Sequence, residues 1–212
     1  MKKVLLLSML SLSCLFMTSN VYAHNSPDNL VFKEEAVLIG DSGKRVAIEP
    51  IEVSDPKPIL SLESVDSQNQ VYCKEAVFEI TPQDFGNAGS MQDIKWDSTG
   101  GVKAWVKIYY GYSNGGILLN AVEVNWRKDD PHLSLSNANI MAWCQGVNYY
   151  NGQPVKNQRT WYVSPSHIKK YTGFTTPVKT TPGAWVAGKS NVTIKRGGSS
   201  WELNLPVNIY MG

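Results

Sequence analysis

The sequence predicts an all-β fold, mainly antiparallel: a β-sandwich or sandwich-like barrel with one disulfide, preceded by an acidic N-terminal arm. Three observations lead there. Apolar residues recur at every second position through several stretches after residue 70, the period of a half-buried strand. Gly, Pro, Ser and Asn clusters separate these stretches, and helix signals are sparse. Two cysteines, Cys73 and Cys144, remain once an N-terminal leader is set aside.

The leader comes first along the chain. Lys2 and Lys3 precede an apolar run from Val4 to Met17, and Val21-Tyr22-Ala23 places compact residues where a signal peptidase cuts. The run falls short of the roughly 20 residues that a spanning helix needs. Residues 1–23 therefore read as a cleavable signal peptide of bacterial type, and a mature chain of 189 residues would begin at His24. A lipid on Cys14 is the rival reading, but Ser11 stands where a Leu-like residue is wanted. The expected location is secreted or periplasmic, with no membrane span. Losing Lys2 and Lys3 takes the formal charge from +2 to zero, so no global field points to nucleic acid.

Residues 24–70 carry nine acids and four bases and contain neither Trp nor Tyr. Residues 71–212 carry nine acids, fourteen bases and every Trp. That contrast reads as an acidic arm, or a pro-like segment, lying against a β-sandwich domain at 71–212. Within the arm, residues 36–39 and 46–48 are candidate edge strands, and Asp55-Pro56-Lys57-Pro58 reads as a stiff linker.

In the domain, residues 71–80 form the first expected strand. Val102, Ala104, Val106 and Ile108 then alternate with Lys103, Trp105, Lys107 and Tyr109. After turn chemistry at 112–116, Val122, Val124 and Trp126 alternate with Glu123, Asn125 and Arg127, which completes a hairpin. Further strands are expected at 140–149, 159–163, 183–186, 191–195 and 201–211. Pro206 cannot donate to a ladder, so the last strand should lie at an edge or break there. Ser164 as cap, Pro165 at the first helical position and Gly173 as terminator predict one short helix over Ser164 to Tyr171.

Cys73 and Cys144 form an isolated pair in an oxidising compartment, so a disulfide between them is expected. Closing a loop of about 70 residues would stabilise the fold by about 4 kcal/mol. Trp143, next to Cys144, would pack near that bridge. Trp126 and Trp201 share the phase of aliphatic residues and read as core.

Binding chemistry concentrates on the outward face of the first hairpin strand. Trp105 and Tyr109, interleaved with Lys103 and Lys107, offer flat rings beside hydrogen-bond donors, suited to a carbohydrate or a protein surface. Cover by a second sheet or by the acidic arm would hide them. Tyr149 and Tyr150, in a polar loop ending Asn151-Gly152-Gln153, extend the candidate ligand-binding set, although turn chemistry explains much of that loop.

The most concrete catalytic alternative starts from His24. A terminal histidine chelates copper through its amine and Nδ1, and His132 or His167 would supply the third nitrogen. In that one respect the chain resembles secreted copper polysaccharide monooxygenases, β-sandwiches of similar size, which implies copper as cofactor. Asn25-Ser26-Pro27-Asp28 departs from that family's opening. Asp129, Asp130 and His132 are sequence neighbours in a turn, and no GxSxG elbow, P-loop or zinc helix is present. Carboxylate pairs drawn from Glu75, Glu79, Asp97 and Glu202 depend on spatial proximity. A third class is a toxin-like or adhesive protein acting on a membrane or cell surface, with 102–110 and 117–127 as its amphipathic hairpin. The leading expectation is a binding protein without catalysis or cofactor.

Overall fold

The computed structural model describes residues 30–31, 34–59, 71–89, 100–113 and 116–211. The leader, His24, Trp96 and Asp97 lie outside the described residues.

Two antiparallel sheets stack face to face, as the period-two runs predict. The first sheet contains, in spatial order, β10 (Pro154–Val163), β9 (Ser134–Val147), β13 (Trp185–Arg196), β14 (Ser199–Met211), β2 (Ala36–Gly40) and β3 (Arg45–Ile48), and β1 (Leu30–Val31) also pairs with β14. The second runs β11 (Ile168–Tyr171), β8 (Gly116–Lys128), β7 (Val102–Ser113), β6 (Val71–Ile80) and β4 (Glu52–Val53). Two short strands extend it, β5 (Lys57–Ile59) on β6 and β12 (Val178–Lys179) on β8.

Alternation sets the core. Val102, Ala104, Val106, Ile108 and Tyr110 of β7 point inward with Val122, Val124 and Trp126 of β8. From the facing sheet, Ile140, Ala142, Val192, Ile194, Leu203, Leu205, Val207 and Ile209 meet them. Trp126 and Trp201 are buried, as their phase predicts. The sheets pack tightly at Gly188 of β13, where an added Cβ would stand 2.7 Å from Ile108 Cγ2 and 2.9 Å from Val122 Cγ1. Residues 34–59 supply strands to both sheets, and Ala36, Leu38 and Ile48 join the core.

One helix was not anticipated from the sequence: α1 (Pro82–Ala88). Thr81 caps it, accepting from the Asp84 N–H, while the Asp84 carboxylate accepts from the Thr81 N–H at 2.8 Å. Pro82 fits the first helical position, where no N–H is needed. Phe85 packs on Trp201 at 4.9 Å between ring centres. Gly40 makes this docking feasible, because a Cβ there would fall 2.2 Å from the Ala88 carbonyl oxygen.

Three expectations need correction. The helix expected over Ser164 to Tyr171 is absent: residues 164–167 are irregular and 168–171 form strand β11, which pairs with Ala121–Val124 of β8. Pairing to that strand edge overrides the capping signals. Next, β14 does not break at Pro206 and lies within its sheet, yet at Pro206 itself it is a local edge. The proline pairs with Lys189 on one side, and on the other it falls between the β2 partners (201–204) and the β1 partners (210–211). It therefore occupies a stretch of β14 with a strand partner on one side only, the setting in which proline is tolerated.

The disulfide is the third. Cys73 and Cys144 are both free thiols. On β6, Lys74, Ala76, Phe78 and Ile80 point inward, so the alternation turns Cys73 to the outer face of the second sheet. Cys144 points into the core from the first sheet, its thiol 3.8 Å from the Ile117 carbonyl oxygen. The second sheet separates the two sulfurs, and no backbone adjustment short of unpairing strands would join them.

Candidate functional site

The outer face of the second sheet gathers the chemistry. Its residues form rows across the strands because the registers of β6, β7, β8 and β11 bring alternate positions into line. One row is Glu75, Lys107, Glu123 and Lys169, with charges alternating across four strands. The next is Cys73, Tyr109, Ala121 and Tyr171. On the other side of the charged row stand Val77, Trp105 and Asn125.

A β-bulge shapes one end of this face. Tyr109 pairs with Ala121 and Tyr110 with Leu119, which leaves Asn120 as the extra residue. The bulge switches phase, so Ile117 and Leu119 enter the core while Asn120 and Ala121 both line the outside. Thr172, fully buried, locks β11 against it. Its hydroxyl donates to the Leu119 carbonyl at 2.5 Å, and its N–H donates to the Asn120 carbonyl at 2.9 Å. Tyr171 is thereby held at the rim.

Glu123 is the electrostatic hub. Its carboxylate accepts from the Tyr109 hydroxyl and contacts His167 Nε2 at 2.5 Å. Burial alone would raise this carboxyl, but the hydrogen bonds from Tyr109 and His167 and the charge of Lys169 outweigh it and hold the group below its ordinary range. Burial, followed by the hydrogen bond to Glu123, pushes the Tyr109 phenol well up, so it remains a donor. Lys107 pairs with Glu75 at 3.0 Å.

Both rings expected to meet a ligand already carry neighbours. The Lys169 ammonium sits 3.4 Å from the centre of the Tyr109 ring, a cation–π contact, and 5.7 Å from that of Tyr171. Lys107 lies 5.2 Å from the Trp105 ring centre, and His167 approaches the same ring edge-on at 5.3 Å. Trp105, Tyr109, Lys103 and Lys107 do share the outer face, each half-buried. Beside the charged row lies an open groove of about 620 Å³, lined by Cys73, Lys107, Tyr109, Asn120, Lys169 and Tyr171 among others. Tyr171 is 71% exposed and presents the barest ring on this face.

Other expected residues fall elsewhere. Tyr149 and Tyr150 sit in the β9–β10 turn, their rings edge-on at 5.5 Å, and neither lines the groove. The Asn148 side chain accepts from the Tyr150 N–H at 2.8 Å, which is turn chemistry of the expected kind. Trp143, without a bridge to pack on, stacks against Trp185 on the outer face of the first sheet, 6.1 Å apart and within 6° of parallel. His132 lies in the turn after β8, its N–H bonded to the Asp130 carboxylate at 2.7 Å, whereas His167 belongs to the Glu123 cluster. Among the described residues no group of three or more His, Cys, Asp or Glu converges to hold a metal ion.

Of the groove lining, sequence reasoning singled out Lys107 and Tyr109 as ligand residues and missed the rest, chief among them Lys169, Tyr171 and Asn120. Compared with protein-family models, with curated proteins and with solved structures, the chain matches none.

Proposed function

We propose that this is an exported binding protein that takes a carbohydrate into the groove on the outer face of the second sheet. The observation that carries the reading is the pairing of tyrosine walls with ammonium groups around one open groove: Tyr109 and Tyr171, Lys107 and Lys169, with Asn120 also in the lining. Sugar rings present apolar C–H faces that stack on aromatic rings, and hydroxyl or carboxylate oxygens that accept from Lys and Asn donors. The surrounding charges are already paired, which leaves the groove pre-organised, so little ordering cost accompanies binding.

The other classes have less behind them. The apolar side of the β7–β8 hairpin is committed to the core, so acting on a membrane would require the sandwich to open. No described helix is long and apolar enough to cross a membrane. For the copper reading, His132 and His167 stand in separate settings.

The test is a glycan array probed with the full chain and with Tyr171→Ala. Retention of a defined glycan class by the full chain, lost in the variant, supports the reading. Retention of no glycan, with capture instead by a cell-surface protein, would replace carbohydrate by protein as the ligand. Fractionation of expressing cells checks export: the chain should appear outside the cytoplasm, shortened at its N-terminus.

A further inference from the structure

Glu34 and Lys74 meet inside the sandwich. Glu34 lies between β1 and β2, and Lys74 points inward from β6 of the other sheet. Their side chains are 3% and 1% exposed, and Lys74 Nζ contacts Glu34 Oε1 directly. Both are also held by one residue of β14. Nζ donates to the Asn208 carbonyl at 3.2 Å, and the Asn208 N–H approaches Glu34 Oε1 at 3.5 Å. This places the contact at the stretch of β14 between its β2 and β1 partners, where backbone groups need partners other than a strand.

A fully buried ion pair is an unfavourable way to fill such a place, since desolvating two charges offsets much of their attraction. Condensation with a carboxyl requires the neutral amine form of Lys74. Burial lowers the Lys74 ammonium to about 8, against the opposing hydrogen bond and charge of Glu34 and the charge of Asp55, so the amine form is accessible near neutral pH. The fold places amine and carboxyl in direct contact, which replaces a bimolecular encounter with an intramolecular one. Water, which drives the reverse hydrolysis in solution, has little access.

The geometry points to an intramolecular amide cross-link between Lys74 and Glu34. Nζ attacks Cδ of Glu34, forming the Nζ–Cδ bond. The Cδ–Oε2 bond breaks, and Oε2 leaves as water with two of the three ammonium protons. The third proton remains on the amide nitrogen. Oε1 becomes the amide oxygen, and the Asn208 N–H lies on its side to stabilise the negative charge it carries in the tetrahedral intermediate. The Asn208 carbonyl orients the attacking amine. No oxidant or cofactor enters. The product ties the N-terminal strands to β6, a covalent staple across the sheets that Cys73 and Cys144 cannot supply.

Intact mass spectrometry of the denatured, reduced full chain tests this, together with Lys74→Arg. The wild type should be lighter than the variant by more than the residue substitution requires, the additional difference being one water. Peptide mapping of the wild type should give a branched fragment joining the segments around Glu34 and Lys74. A mass difference equal to the substitution alone, with unbranched peptides from folded wild-type protein, overturns the cross-link. An additional difference of one ammonia also overturns it, because the carbonyl would then come from an amide side chain. The wild-type peptide map decides the matter even if Lys74→Arg fails to fold.

Discussion

The ammonium of Lys169 rests 3.4 Å from the centre of the Tyr109 ring, so a lysine from β11 covers an aromatic of β7 across the intervening strand β8. This contact decides which ring a ligand can reach. Tyr109 serves as a wall with one face occupied, and Tyr171 is left as the accessible platform.

Removing the Lys169 charge should therefore loosen β11. Lys169→Met is expected to cost about 0.5–2 kcal/mol, the range for a cation–π contact. Thermal melts of the variant and the wild type at low and high salt check it. A melting temperature unchanged at both would show that the contact contributes nothing to stability.

Glu123→Gln tests the hub. The wild-type carboxyl is held below its ordinary value of 4.5, so its folded form binds a proton less readily than the unfolded chain does. The stability it contributes is complete above that value and is lost as pH falls through the lowered folded value. At neutral pH the variant should be less stable by about 1–3 kcal/mol, the scale of charge-assisted bonds to a part-buried group. Below about pH 4.5 the gap should narrow. Denaturant titrations across that range check the sign, and a gap that widens in acid would contradict it.

Gly188 lies where side chains of the facing sheet leave no room for a Cβ. Gly188→Ala should destabilise the protein by about 1–3 kcal/mol, since Ile108 and Val122 would have to shift inside a packed core. Chemical denaturation measures this directly. A neutral result would mean that the sheets can separate there freely.

The cysteines make a fourth test. In native protein a thiol reagent should modify Cys73 readily and Cys144 only on unfolding, because Cys144 is buried and its thiol is pushed up to about 11 by that burial. Reductant should leave the melting temperature unchanged. A fall on reduction, with a cross-linked Cys73–Cys144 peptide, would restore the bridge.

Much of the sandwich could be read from the chain because half-buried strands write their geometry locally. Trp105 faces outward and Trp126 inward simply from the phase of their neighbours. The same rule carried a signal against the disulfide: Ala76, Phe78 and Ile80 set an inward phase that turns Cys73 out, while Ile140 and Ala142 turn Cys144 in. Compartment chemistry alone obscured it. The groove was not legible, because Lys169 and Tyr171 reach it only through pairing of β11 with β8, and nothing near residue 168 encodes that partner. Ser164, Pro165 and Gly173 are equally at home capping a helix or bounding a loop. The α1 start, Thr81-Pro82-Gln83-Asp84, was available as a capping pattern, but its helix is too short to show a period.

Titration calorimetry of the full chain and of Tyr171→Ala, against whichever glycan class the array retains, examines the binding site most directly. Saturable binding that weakens at least about tenfold in the variant, roughly the value of one stacked ring, is the expected result. Equal affinity in both proteins, or no glycan bound by the full chain, would contradict a sugar site in this groove.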